Sequence, residues 1–336
     1  METLIRVGLI GTGFAARLRA EALAKDARSH LVAVAGSDCD RAAEFCAPFG
    51  ASSHTEWQAL VDRHDVDLVV VANASDQHGD IVERALQAEK PVAVEYPLSL
   101  DLAQAQRLIA LAREKGLLLH VEHIELLGGQ HRAAAAHLAQ IGQPHYARYC
   151  TLNPQRPAPR KWTYQPARFG FPLVGALSRI HRLTDLFGQV EQVFCQNHYD
   201  WAAAAGSEDA YITTCLCTAQ LHFSNGLLAE VTYGKGESIW AAARRLEIHG
   251  TAGGLIFDGD QGQLITAVGE QALELGSRRG LFAKDTAAVL SALLEQTPLY
   301  VRPEASLYAL QVADAARRSA TTGTAVKVSV ESSPSV

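Results

Sequence analysis

The sequence predicts an α/β protein with a doubly wound parallel sheet in its first part and, after it, an α+β domain built on a large, mostly antiparallel sheet. Short β-branched runs alternate with helical stretches between residues 4 and 121, the rhythm of a parallel sheet with helices on both faces. A glycine-rich turn, Gly11-Thr-Gly13-Phe14-Ala15-Ala16, separates the first strand from the first helix. Beyond Glu122 the alternation gives way to extended runs broken by turn residues such as Asn225-Gly226, a hairpin signal.

Taken in order, residues 4–10 form an apolar strand, and an Ala/Leu/Arg helix runs from the glycine turn to about Lys25. Strands follow at 31–35, 68–72, 92–94 and 117–121. Helices lie at 41–49 (ending at Gly50), 57–61, 79–88 and 102–115 (closed by Gly116). These strands are continuously apolar, as a sheet covered on both faces requires. In the second part, 130–141 is an alanine-rich helix, 146–152 alternates like a strand, 153–168 is a Pro/Arg/aromatic loop and 173–187 is a helix. Extended runs at 193–198, 211–223, 227–233, 245–249 and 254–257 supply the sheet, and 285–294 and 304–319 are closing helices. The division is a dinucleotide-binding domain at 1–122, a sheet domain at 123–328 and a polar, flexible tail at 329–336.

A chain of 336 residues suits two domains, and 48% hydrophobic with 20% charged residues is ordinary globular composition. A net charge of −6 without basic runs gives no nucleic-acid footprint. Apolar stretches such as 68–72 are too short to span a bilayer, so no membrane contact is expected. The opening residues enter a strand without signal-peptide design, and the expected location is cytoplasmic. Of six cysteines only Cys215-Thr-Cys217 are close, and no second pair or histidine stands at metal-binding spacing. They are expected to be core residues in a reducing compartment, with no metal.

Strand, glycine turn and helix together form the Rossmann phosphate-binding element, in which amides at the helix start hold a pyrophosphate that approaches the backbone. Gly11, Gly13, Phe14 and Ala15 are its residues here. At the tip of the second strand, Ser37 and Arg41 suit a ribose 2′-phosphate and favour NADPH. Asp38 argues for NADH, or is a plain helix N-cap. Asn73 and His78 follow the next strand and are expected to border the cofactor, although Ser75 or Asp76 there could equally be a cap. Strand 92–94 runs into Glu95-Tyr96-Pro97, where a carboxylate and a phenol meet the sheet's carboxyl edge.

Together these elements resemble the glucose-fructose oxidoreductase/inositol dehydrogenase/MocA superfamily. Its Glu-x-Pro element carries a lysine at x, where this chain has Tyr96. Its Gly-x-x-x-Asp-x-x-x-His-x-x-Asp element is represented here by residues 175–185, with Arg182 where the histidine is expected and Asp185 closing the motif. Those replacements resemble the biliverdin reductases, most closely the bacterial, cyanobacterial type. The likeness runs through Glu95-Tyr96-Pro97-Leu98, residues 120–129, 169–173, 177–179, 184–188, 233–237 and 276–282.

The resemblance implies reduction of biliverdin IXα to bilirubin by hydride transfer from NADPH, or from NADH, to the central methine carbon. A flat, acidic tetrapyrrole needs apolar faces and cations near its rim. Arg179, Arg182, Arg278 and Arg279 are the expected substrate cations, with Arg148, Arg156, Arg160 and Lys161 near the proline-rich loop. Trp162, Tyr164, Phe169 and Phe171 are candidate walls. Tyr96, Glu122, His123 and Asp185 are expected to contact the substrate, and Glu125 to stand near them. Guanidinium is a poor acid, its pKa lying above ~12, so Arg182 is assigned binding and charge stabilisation. Tyr96, backed by Glu95, or relayed solvent would supply the proton. The rivals are a sugar or polyol dehydrogenase of the same superfamily and a non-catalytic NAD(P)-binding regulator. The open second sheet offers a surface for a homodimer.

Overall fold

A computed structural model of the chain describes residues 4–202 and 210–328; the tail expected at 329–336 lies outside the described residues. Contacts divide it into two units, one running to Leu127 and including Arg279–Leu307, the other holding Gly128–Arg278 and the chain from Tyr308 onward.

The first unit carries strands β1 (Ile5–Ile10), β2 (Ser29–Ala35), β3 (Ser52–His54), β4 (Leu68–Val71), β5 (Val92–Val94) and β6 (Leu119–Val121). Its helices are α1 (Phe14–Lys25), α2 (Cys39–Cys46), α3 (Trp57–Val61), α4 (His78–Gln87) and α5 (Leu102–Glu114). The strand order is β3-β2-β1-β4-β5-β6, all parallel, so the order reverses between β1 and β4. Ligands of such sheets bind beyond the carboxyl ends of the strands, at that reversal. Strand β4, Leu-Val-Val-Val, is buried throughout, as its continuous apolar run requires. The edge strand β3, Ser-Ser-His, has no apolar run to announce it, and its register is set by pairing with β2.

One helix departs from the expected division. The sequence pattern leaves the segment around 285–294 with the sheet domain, but the helix Leu281–Glu295 belongs to the first unit, where Val289 and Leu290 share a core with Ala16, Ala20 and Leu23 of α1. Its apolar face is complete in sequence; which surface it covers is not a local property.

The second unit begins with α6 (Gly129–His137), β7 (Pro144–Pro154), α7 (Pro166–Phe169), α8 (Pro172–Gly175) and α9 (Ser178–Phe187). Strands β8 (Val190–Trp201), β9 (Ile212–Phe223), β10 (Leu228–Gly236), β11 (Ala243–Gly250), β12 (Gly253–Asp258), β13 (Gln261–Thr266), β14 (Gly269–Leu273) and β15 (Val326–Lys327) complete its sheet. Among the described residues the order is β14-β13-β12-β11-β7-β10-β9-β8-β15, antiparallel except for the parallel pair β7 and β10. The single helix expected at 173–187 is two, α8 and α9, broken at Ala176–Leu177. Gly175 marks the break: a Cβ there would lie 2.4 Å from the Phe169 carbonyl oxygen, so the chain turns where α7 and α8 touch. The loop expected at 153–168 also contains short helical turns, including Trp162–Tyr164.

Candidate active site

The glycine turn holds its shape for steric reasons. Gly11 has φ +123°, and a Cβ on it would stand 2.4 Å from the Ala72 carbonyl oxygen. Gly13 is the N-cap of α1 and gives it no side-chain cap, and a Cβ on Gly13 would meet nothing within 4 Å. The first amides of α1 thus open onto free space, a ready anion site. Phe14, 79% exposed, follows directly, with Ala15 next in the helix. At the carboxyl end of β4, Asn73 donates through Nδ2 to Gln77 Oε1 at 2.7 Å, while its own Oδ1 is buried with no hydrogen-bond partner. Ser37 and Arg41 are exposed beyond β2, and Asp38 accepts from the Arg41 amide at 2.8 Å, capping α2. An open helix start, an orphaned amide oxygen and an acidic residue committed to a cap fit a nicotinamide dinucleotide. Gly11→Ala is expected to weaken NADPH binding at least about tenfold, as read by fluorescence titration; an unchanged affinity would contradict this account of the turn.

His78, expected to border the cofactor, lies inside the fold. It is 1% exposed, its Nδ1 lies 2.8 Å from the Pro97 carbonyl oxygen and its Nε2 3.4 Å from that of Asn73. Burial pushes its pKa down. It ties the loop after β4 to the Glu95-Tyr96-Pro97 turn.

Beyond β5 and β6 the two strands carry carboxylates side by side. Glu95 N donates to Val71 O, and Glu122 N donates to Val94 O at 2.8 Å, so the pairing continues to both residues. Arg19 of α1, 3% exposed, donates through Nε to Glu95 Oε1 at 2.9 Å and through Nη1 to Asp285 Oδ2. Asp285, fully buried on the Leu281–Glu295 helix, also accepts from His120 Nε2 at 2.7 Å and from the Tyr300 hydroxyl at 2.6 Å. Burial pushes Asp285 up, but Arg19 and His120 beside it prevail and hold it well below the usual carboxylate range. Glu122 moves the opposite way. Burial, then the charges of Glu95 and Asp285, raise it well above its ordinary value against the pull of Arg19. It is 2% exposed and accepts from the Ile124 amide at 2.5 Å, an interior group where a substrate contact was expected.

Tyr96 is half-buried and stacks on His123, ring centroids 5.3 Å apart and planes 7° apart. His123 was also expected to meet substrate; it is 1% exposed, and its Nε2 lies 2.8 Å from Ser306 Oγ, making it a support beneath Tyr96.

In the second unit, α9 lays its arginines on the sheet. The Arg179 guanidinium sits 5.3 Å from the Tyr233 ring centroid and donates to Thr151 Oγ1 at 3.3 Å. Arg182, 1% exposed, lies 5.2 Å over Tyr149 and donates to Gln130 Oε1 at 2.5 Å. The spacing of three residues does put both on one face, but Arg182 is an interior cation, not a rim one. A guanidinium taken out of water interacts strongly with any anion that reaches it. Asp185 is held by His131 Nε2 at 2.8 Å, a hydrogen bond that lowers its pKa, and burial pushes its neighbour His181 down to about 4. Arg278 and Arg279 are exposed in the segment before the Leu281–Glu295 helix.

Lys235 was not foreseen. It is 5% exposed on β10, donates to the Thr163 carbonyl oxygen, and its Nζ lies 3.7 Å from the Phe169 ring centroid, 4.8 Å from Tyr164 and 5.9 Å from Tyr233. Burial, helped by Arg179, pushes it down to about 8. Below pH 8 the folded state carries a penalised charge; between there and ~10.4 the unfolded chain holds the extra proton, so stability rises with pH across that window. Lys235→Met is therefore expected to gain about 1–3 kcal/mol in urea unfolding at pH 7, an advantage that disappears near pH ~10.4. A variant less stable than wild type at pH 7 would refute this.

Arg19, His120, Asp285 and Tyr300 also escaped sequence reasoning. The available signals were a lone arginine on the Ala16/Ala20/Leu23 face of α1 and a lone aspartate within an apolar helix. Among the described residues no cluster of His, Cys, Asp and Glu could hold a metal ion, and no helix is long and apolar enough to cross a membrane.

Residues 5–123 match the oxidoreductase family GFO/IDH/MocA, NAD-binding Rossmann fold, and residues 138–329 match that family's C-terminal alpha/beta domain. The biliverdin reductase of Synechocystis sp. PCC 6803, solved with biliverdin and NADP+, is 51% identical, with a TM-score of 0.90 over 94% of this chain and 99% of that one. Biliverdin reductase A of Mus musculus is 28% identical over 232 residues, 69% of this chain and 68% of that protein. The dTDP-3,4-didehydro-2,6-dideoxy-alpha-D-glucose 3-reductase of Actinomadura kijaniata is 42% identical over 132 residues, and the chain spans only 40% of its length.

Proposed function

Since this chain belongs to the GFO/IDH/MocA family and is an NAD(P)H-dependent oxidoreductase, we propose that it reduces biliverdin IXα to bilirubin with NADPH. The observation that carries this reading is the full-length likeness, at 51% identity, to a reductase solved with biliverdin and NADP+. Tyr96 and Arg182, standing where the sugar dehydrogenase pattern has its lysine and its histidine, fit the same reading. Exposed Ser37 and Arg41, with Asp38 occupied as a cap, favour the 2′-phosphate of NADPH.

When bound, the dihydronicotinamide supplies the hydride that the central methine carbon accepts. Gly11, Gly13, Phe14, Ala15 and Asn73 hold the dinucleotide, His78 keeping the loop of Asn73 in place. Arg182 attracts the acidic pigment and stabilises the charge that develops on its pyrrole system as hydride arrives. Arg179 and Lys235, set among Tyr164, Phe169 and Tyr233, offer cations beside aromatic faces, a setting for a flat dicarboxylic ligand. Tyr96 directs a hydrogen bond to the reacting region, with Glu95 behind it. The test is purified protein mixed with NADPH and biliverdin, set against a polyol panel with NAD. Conversion of green pigment to yellow is the expected result; oxidation of a polyol without bilin turnover would overturn the reading.

A further inference from the structure

We propose that Glu122 is the proton reservoir of this enzyme, passing its proton through Glu95 toward the substrate. The inference rests on the reductase reading above and concerns the source of the second hydrogen. Hydride brings two electrons and one hydrogen to the methine carbon, where a C–H bond forms; a pyrrole nitrogen must then gain a proton to leave the product neutral, and the nicotinamide is left oxidised. A group beside the reacting atoms that holds that proton in advance would supply it without waiting for solvent.

The geometry supplies a holder. Two carboxylates, Glu95 after β5 and Asp285 on the Leu281–Glu295 helix, bond to one guanidinium, that of Arg19 on α1, and a third carboxyl, Glu122 after β6, stands next to Glu95 across the strand pairing. Arg19 contacts Glu95 and Asp285 directly, and Asp285 takes two further donors, His120 and Tyr300. Glu122 is left with the Ile124 amide as its donor, and faces two carboxylates from the neighbouring strand and helix. Three ionised carboxylates to one arginine would be unstable in a buried space, so one proton remains in the group, and Glu122 is where it costs least to keep. Glu95 is its neighbour across the strand pairing, adjoins Tyr96, and is the more open of the two at 14% side-chain exposure. In the step itself the Glu122 O–H bond breaks, Glu95 accepts that proton and releases one toward the pyrrole nitrogen, and between turnovers Glu95, the more open of the two, takes a proton from solvent and returns it to Glu122.

Glu122→Gln keeps the shape and the bond from the Ile124 amide but cannot release a proton. Glu122→Asp, which keeps a carboxyl, is the rescue variant. Expected results are a kcat at least about tenfold lower in Glu122→Gln, loss of the alkaline fall in kcat that wild type shows as Glu122 ionises, unchanged NADPH affinity, and partial recovery in Glu122→Asp. Infrared difference spectra between neutral and alkaline pH should show a carboxylic C=O band in wild type that Glu122→Gln lacks, a readout that needs no turnover. A Glu122→Gln enzyme with wild-type kcat and pH profile, or a wild-type spectrum without that band, would overturn the proposal. If wild type fails to reduce biliverdin yet shows the band, the reductase reading falls while the stored proton stands.

Discussion

Replacing Arg182 with alanine is expected to remove at least about 99% of bilin turnover, the scale of losing a preorganised electrostatic group. The reason is its setting. Arg182 is 1% exposed, lies over Tyr149 and donates to Gln130, so it is fixed and stripped of water before any substrate arrives. Charge held in that way reorganises little when a negative pyrrole system develops near it. Arg182→Lys keeps the charge but loses the planar fork, and should retain intermediate activity. Tyr96→Phe removes only a hydroxyl from a ring still stacked on His123, and turnover should fall by less than about tenfold. Steady-state kinetics of the three variants decide the matter; the reverse order, with Tyr96→Phe the more damaged, would move the principal role to the phenol.

The second large effect concerns stability. Asp285→Ala is expected to cost about 3–5 kcal/mol, the range for breaking a buried ion pair from one side. Arg19, His120 and Tyr300 all donate to this one carboxylate, and alanine would leave all of them aimed at an apolar gap. Urea unfolding at neutral pH measures the loss, and a change under about 1 kcal/mol would show that the cluster relaxes onto water. The pH dependence follows from the same contacts. A carboxyl whose folded pKa is depressed stabilises the fold above its unfolded value near ~3.9 and withdraws that support as pH falls below it. Wild type should therefore lose stability in acid more steeply than Asp285→Ala.

Much of this was legible in the chain. The Rossmann half is written in local terms: apolar runs, a glycine turn, and Asp38 as a candidate cap that does cap its helix. The Glu95-Tyr96-Pro97 turn and Arg182 stood out because they break a recognisable pattern. The missing parts depend on contacts no window can contain. Asp285 meets Arg19 across 266 residues, and the helix that carries it reads only as apolar. Glu122, His78 and His123 look like edge residues by position after a strand, yet backbone carbonyls, an amide and a serine hydroxyl hold them inside. Lys235 reads as a surface lysine in Tyr233-Gly-Lys235-Gly; only the return of Phe169 and Tyr164 over β10 buries it. The break between α8 and α9 likewise needs Phe169 to press on Gly175.

The most direct test is to run the reaction with NADPH deuterated at the transferring position of the nicotinamide and locate the label in the pigment. One deuterium at the central bridging carbon of bilirubin is the expected result. Unlabelled bilirubin, or label only on a sugar carbonyl carbon offered in competition, would contradict hydride transfer to a bilin.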